Sequence, residues 1–408
     1  MTTHAYDQRG LMTGTQYPAD TTPSAVLVQP TEAFTFDNAG NLVARADRRG
    51  YTTTYGLDYA NRVVTITAAS SPIGQPTTHF EYDEVGQRTA SVDPTGARSE
   101  VGYDDLGRMR STTDTVRQPG GPDLNYTWLY EHDDLGNQTK ATSPEGRQIV
   151  QTFDGAAQLT SATDGAGNTT TFEHDVAGRV TLTVDPLGRQ HETTFDLVGR
   201  PVTDSALSAT SVVLATQTRT YDPVGNLTSI TQPEGVATPS IATDHSSNYE
   251  YNANNALTKV TQATGPSAVN ETSYRYDLAG NMTASIDGRG ATTVWEYNSW
   301  NLNVATIEPF TASDPALADR TWTTTLDAGG LPVQLAEPGG FDHVYSYDPY
   351  GNMLAESATN GASTAQRLRT YDLGGRVVEV DAPDGPIAFT YDDRGLLTAT
   401  AGAPRVTS

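Results

Sequence analysis

An aromatic residue, an aspartate, two variable positions and a glycine recur in that order along the whole of this 408-residue chain. The stretch Phe172 to Arg200, FEHDVAGRVTLTVDPLGRQHETTFDLVGR, holds three turns of this design, at Asp175–Gly178, Asp185–Gly188 and Asp196–Gly199. Asp in the first position and Gly in the fourth suit a type I turn: the carboxylate accepts a backbone N–H, and Gly takes the left-handed conformation that follows. Pro186 presets φ at the second position of the middle turn. The six or seven residues between turns are rich in Thr and Val and have strand length. An antiparallel meander is therefore expected, renewed about every 21 residues.

Seventeen such first turns begin at Asp7, Asp37, Asp58, Asp83, Asp104, Asp133, Asp154, Asp175, Asp196, Asp222, Asn252, Asp277, Asn298, Asp327, Asp348, Asp372 and Asp392. The residue before is Tyr in ten, Phe in three, His in two and Leu in two. The fourth position is Gly in thirteen, Asn at Asn61, Asn255 and Asn301, and Ala at Ala157. Asn tolerates the left-handed region best after Gly, so these exceptions keep the geometry. A second turn follows ten residues on, as at Asp47–Gly50, Asp93–Gly96, Ser143–Gly146, Asp164–Gly167, Gln232–Gly235, Asp287–Gly290 and Glu337–Gly340. Wherever that second turn is recognisable, extra residues come after it, so insertions such as Arg117–Asp123 and Phe310–Asp319 gather along one edge of the sheet. Loops on a rigid scaffold are the usual seat of specific function.

First turns 58, 83, 104, 133 and 154 recur 194 residues later at 252, 277, 298, 327 and 348. An ancestral duplication of eight hairpins is the plainer account. The sharper one is a wound sheet in which 194 residues make one turn and stack equivalent loops.

Aromatic residues fall two apart before each turn, as in Phe34/Phe36, Phe80/Tyr82, Phe172/His174, Tyr249/Tyr251, Tyr274/Tyr276, Trp295/Tyr297, Tyr345/Tyr347 and Phe389/Tyr391. Strand alternation puts each pair on one face, with Glu81, Glu173, Glu250 and Glu296 on the other. Val180, Leu182 and Val184, or Met282, Ala284 and Ile286, continue the period of two. The expectation is one aromatic and aliphatic face, with no helix-period segment to cover it. The fold class expected is all-β: consecutive antiparallel hairpin repeats in one continuous curled or spiralling sheet, a partial or complete hollow shell. Internal repetition makes residues 1–408 a single repeat domain.

Composition excludes several classes. The net charge is −24, with only Lys140 and Lys259 as lysines, so nucleic acid and anionic membranes are poor partners. There is no cysteine for disulfide or thiolate chemistry and no apolar run long enough to span a membrane as a helix. The start MTTHAYDQRG has no signal-peptide pattern, and Met1 stands a few residues before a repeat, as in a segment of a longer protein. The histidines are scattered, and His132 and His174 take the place of the ring before the Asp, where packing is their expected role. No calcium loop, phosphate loop or nucleophile triad stands out, so no enzyme activity, metal or cofactor is expected.

The motif is seen at Tyr103-Asp-Asp-Leu-Gly-Arg108, Tyr221-Asp-Pro-Val-Gly-Asn226, Tyr276-Asp-Leu-Ala-Gly-Asn281 and Tyr371-Asp-Leu-Gly-Gly-Arg376. With second turns such as Asp93-Pro-Thr-Gly96, it resembles the YD-repeat, or RHS-repeat, family over essentially the whole chain. That family includes bacterial RHS polymorphic toxins, Tc-toxin shell subunits, wall-associated toxins and teneurins. The resemblance implies a spiralling hairpin strip that closes into a hollow cocoon. In the toxins the cocoon encloses an effector, released by aspartyl autoproteolysis in a segment at the end of the shell. No such segment or effector follows Tyr391 here, and Asp185-Pro-Leu-Gly188 is an ordinary second turn, so only the scaffold role carries over. The residues expected to carry it are Tyr82, Asp83 and Gly86; Tyr103, Asp104 and Gly107; Asp175 and Gly178; Asp196 and Gly199; Tyr221, Asp222 and Gly225; Tyr276, Asp277 and Gly280; Tyr347, Asp348 and Gly351; and Tyr371, Asp372 and Gly375.

The first functional expectation is a non-catalytic segment of a secreted bacterial shell, whose partners are an enclosed polypeptide cargo or further shell segments. The second is an extracellular adhesin that binds a glycan or a cell-surface protein through its second-turn loops and the rings of Trp128, Trp295, Trp300 and Trp322.

Overall fold

The computed structural model describes residues 1–20, 29–233, 245–265, 268–361 and 363–402. Among the described residues it is all-β, with 34 strands in one open sheet and a 3-10 turn at Ala318–Arg320. The strands pair antiparallel with their neighbours in sequence, as Thr169–His174 pairs with Val180–Val184 and that strand with Gln190–Phe195. By contact density the chain divides into two units: Met1–Thr127 with Val294–Ser408, and Trp128–Thr293.

A single sheet has no second layer to bury its faces. The chain exposes 24217 Å², where a compact monomer of its mass exposes roughly 15,000 Å². Among the described residues the buried apolar side chains other than proline are eight, and five of them are alanines: Ala90, Ala97, Ala141, Ala284 and Ala305. Stability therefore rests on the backbone ladder and on half-buried cross-strand neighbours rather than on a core. Glu81 and Glu173 are exposed while Phe80, Tyr82, Phe172 and His174 beside them are half-buried, the alternation that strand geometry requires.

The aliphatic residues of the outgoing strands do not join the aromatic face. Each first hairpin carries a register shift just inside its turn, between Glu173 and His174 for example. The shift places Leu182 opposite Glu173, Val184 opposite Thr171, and Thr183 opposite Phe172. Ala284 likewise faces Arg275, and Ile286 faces Ser273. Directly opposed residues share a face, so one extra residue per hairpin moves Leu182, Val184, Ala284 and Ile286 to the glutamate side. The expected single apolar face is two mixed faces.

Longer repeats arise in two ways. The strands Val63–Thr67 and Asn303–Ile307 keep five residues, and the extra chain forms a loop before the next strand. In the repeat after Asp196 the strands themselves lengthen, to Pro201–Leu207 and Val213–Tyr221. Their turn begins at Ser208, twelve residues on, with Ser211 at φ 58° in the glycine position. Met353–Asn360 with Ser363–Tyr371 is another extended hairpin, and the strands Met109–Val116 and Leu124–His132, which flank the expected insertion at 117–123, are also long. Of the second turn at Gln232, Glu234 and Gly235 lie outside the described residues.

Candidate functional site

All seventeen first turns have the same backbone bonds. At Asp175 the aspartate N–H donates to the Arg179 carbonyl at 3.0 Å, and the Gly178 N–H to the Asp175 carbonyl at 3.0 Å. The carboxylate closes the turn from inside, with Oδ1 accepting the N–H groups of Ala177 at 2.9 Å and Arg179 at 3.1 Å. Asp83, Asp104, Asp196, Asp222, Asp277, Asp348 and Asp372 each accept two such bonds. Gly178 has φ 81°, and Gly86, Gly107, Gly199, Gly225, Gly280, Gly351 and Gly375 lie in the same left-handed region, as does Ala157 at φ 60°. Asp175 is held below the usual carboxylate range, first by the Arg179 side chain and then by the Arg179 N–H; for Asp196 the backbone N–H of Arg200 comes first. The second turns at Asp47, Asp93, Ser143, Asp164, Asp185 and Asp287 repeat the same bonds.

Successive hairpins are joined by a contact that the motif did not reveal. The hydroxyls of Tyr82, Tyr103, Tyr221, Tyr251, Tyr276, Tyr347, Tyr371 and Tyr391 each donate to a carbonyl of the preceding hairpin, at 2.7–3.0 Å. The acceptor is always five residues after the preceding first-turn Asp or Asn: Val63 for Tyr82, Leu257 for Tyr276, Val377 for Tyr391. This explains the preference for Tyr over Phe. The residue after the glycine adds a second link along this edge. The Arg62, Arg200 and Arg376 guanidiniums bond the carbonyls of Asp83, Asp222 and Asp392 at 3.0–3.1 Å. They also lie over Tyr82, Tyr221 and Tyr391, 4.6–5.3 Å from the ring centroids.

Within the first unit the strip also lies against itself. First turns of the segment from Val294 onward meet the second-turn edge of the segment before Thr127. Trp300 Nε1 donates to the Pro18 carbonyl at 2.7 Å, and Ser299 Oγ to Ala19 at 2.8 Å. Arg49 reaches the carbonyls of Asp348 at 3.0 Å and Pro349 at 2.7 Å, and the Tyr350 hydroxyl donates to the Ala69 carbonyl. Arg117 grips Asp393 with its backbone N–H, Nε and Nη2 at 2.6–2.9 Å, and Arg394 covers Tyr126 at 3.6 Å. Asn298 and Asp348, ordinary turn residues elsewhere, are here 6% and 4% exposed. The contacts use the second and third residues of each first turn, and the two sides lie about 270–300 residues apart in sequence.

Repeat, turn and hairpin now agree with a known pattern. A family profile described as RHS Repeat matches residues 36–73, 153–190, 221–267 and 251–293. The chain thus carries RHS repeats at four places. The crystal structure of TcdB2-TccC3 shares its fold, with a TM-score of 0.78 at 12% identity over 98% of this chain. The TcdB2-TccC3 structure without the hypervariable C-terminal region gives 0.79 at 12% identity over 98%, and a Photorhabdus luminescens Tc holotoxin pore carrying a TccC3 mutation gives 0.77 at 12% over 98%. The chain spans about a quarter of the length of those chains. No curated protein sequence matches it significantly.

The seam overturns the 194-residue turn. The Asn298 loop, whose equivalent at that displacement is Asp104, instead meets Pro18 and Ala19, some 280 residues away. It also changes the reading of the tryptophans. Trp300 is a seam residue, with Arg48 5.8 Å above its ring, and Trp322 Nε1 is bonded to Glu308 Oε1 at 3.0 Å. Trp295 stands half-buried in the aromatic column, and Trp128 is 36% exposed. Trp295, Trp300 and Trp322 thus have separate surroundings. His132 and His174 sit half-buried in the aromatic column, and among the described residues no cluster of His, Cys, Asp or Glu is arranged to hold a metal ion. Sequence reasoning missed the seam arginines Arg49 and Arg117. Arg49 is the third residue of a second turn, a place that Arg289 also holds, and Arg117 opens the insertion at 117–123, so nothing in the sequence set the two apart.

Proposed function

We propose that this chain is a non-catalytic wall segment of a secreted bacterial RHS protein that encloses a polypeptide cargo, and that residues 1–408 act as one repeat domain. The observation that carries this reading is the seam of the first unit. Hydrogen-bonded strands, hydroxyl clasps and an arginine-rich seam give the strip cohesion in both directions of its surface, which is what a barrier needs and a binding loop does not. The kinship of its fold with TcdB2-TccC3 and with a Tc holotoxin pore supports a toxin-related setting. Its acidic composition suits a wall that must stay soluble. The partners under this reading are the cargo and further RHS segments.

Limited proteolysis of the chain, expressed with the coding sequence that flanks it in its gene, tests the reading. A flanking polypeptide that resists protease until the wall is denatured is the expected result. Cargo digested as fast with the wall as without it overturns the encapsulation.

A further inference from the structure

Arg49 and Arg289 hold the same place in the repeat, the third residue of a second turn, in Asp47-Arg-Arg-Gly50 and Asp287-Gly-Arg-Gly290. Both donate a backbone N–H to their turn aspartate at 2.9 Å. Their surroundings differ. The Arg49 side chain is 14% exposed, with its guanidinium on the carbonyls of Asp348 and Pro349. The Arg289 side chain is 89% exposed and folds back on Asp287 at 3.1 Å, leaving the rest of its donor fork to solvent.

The complementary half of the contact is also bare in the second unit. In the seam, the second and third positions of first turns supply Trp300, Tyr350 and Leu373. At the same positions Val176, Leu197 and Leu278 are 108%, 106% and 109% exposed. One exposed aliphatic residue is ordinary, but a row of them repeated at turn spacing is an uncovered edge.

We propose that the second-turn edge around Arg289 docks the first-turn edge of a second copy of this chain, repeating between molecules the seam that the first unit makes within one. The occupant follows from continuity with that seam: the chain binds its own first turns at one set of second turns and presents unfilled counterparts of both sides elsewhere. Such a contact joins two different surfaces, so it adds molecules head to tail and does not close on itself. The net charge of −24 opposes the approach of two copies, so the association strengthens as salt screens them. It does not depend on a cargo, so its failure leaves encapsulation standing, and the protease result leaves it untouched.

Sedimentation velocity of the full chain, over about a hundredfold range of concentration and at low and raised salt, reads the effect directly. Mass that grows with concentration, and more steeply at raised salt, is expected. Arg289→Ala should weaken the association about tenfold, the loss of a charged group's hydrogen bonds, and Leu278→Asp should do the same from the opposite edge. Because the chain has no cysteine, a mixture of Arg289→Cys and Leu278→Cys proteins should form a mixed disulfide on oxidation. Circular dichroism checks that each variant stays folded. A monomer under all conditions, or oligomers indifferent to both edge substitutions, overturns the proposal.

Discussion

The turns at Asp348 and Asp175 are built alike and placed differently. In both, Oδ1 accepts two backbone N–H groups and Oδ2 accepts the side chain of the residue after the glycine, Asn352 in one and Arg179 in the other. Asp348 is shut inside the seam at 4% exposure, with Arg49 on its carbonyl, while Val176 beside Asp175 stands wholly in solvent. Local sequence fixes the turn. What the turn is for depends on whether another length of strip comes to lie against it.

The largest test of that contrast is Asp348→Ala against Asp175→Ala. The buried turn should lose about 3 kcal/mol, because its N–H groups are left unpaired away from water. The exposed turn should lose clearly less, because water replaces the carboxylate. Chemical denaturation midpoints measure both, and equal shifts would dissolve the distinction between engaged and free turns.

The clasp should behave the other way. Tyr391→Phe in the first unit and Tyr276→Phe in the second each remove one hydroxyl bond to a carbonyl, at 2.9 and 2.7 Å. Each should cost about 1 kcal/mol, and by the same amount, since this bond lies within the strip. A large difference in the midpoints would mean that the seam reaches into the hairpins. Ala157→Gly tests the turn alone: relief of an L-residue at φ 60° should stabilise by somewhat under about 1 kcal/mol, after the entropy of glycine is set against it. An unchanged or lower midpoint would show that Ala157 is not strained.

The smallest effect is on pH. Arg117 holds the Asp393 carboxyl below the ordinary range, against the pull of desolvation. A carboxyl with a lowered folded pKa stabilises fully above its unfolded value, near about 4, and that share is lost as pH falls through the folded value. Stability should thus be flat from neutrality down and decline more steeply in acid for the wild type than for Asp393→Asn. Parallel acid limbs in denaturation curves would remove Asp393 from the seam's energetics.

These contrasts mark how far the sequence could be read. The Asp-x-x-Gly turns were legible because their hydrogen bonds close within five residues. The faces were half legible: Phe172 and His174 alternate as expected, but the register shift sends Leu182 to the other side, and nothing in a period of two announces an extra residue. The lengthened hairpin at Ser208 was hidden because Ser there does what Asp does elsewhere, accepting the Val212 N–H at 3.1 Å. Trp300 and Arg49 were not legible at all, since their partners lie about 280 and 300 residues away in sequence.

Pairing between neighbours in sequence has a consequence for how such a chain is made. Each new strand finds its template in the one just completed, so hairpins can set in order as the polypeptide leaves the ribosome, with short loops to close at every step. The seam waits for a segment synthesised roughly 280 residues later. At about 5–20 residues per second, Pro18 and Ala19 stand open for tens of seconds before Trp300 exists to meet them. Through that interval the growing edge is guarded by its own charge and turn chemistry alone.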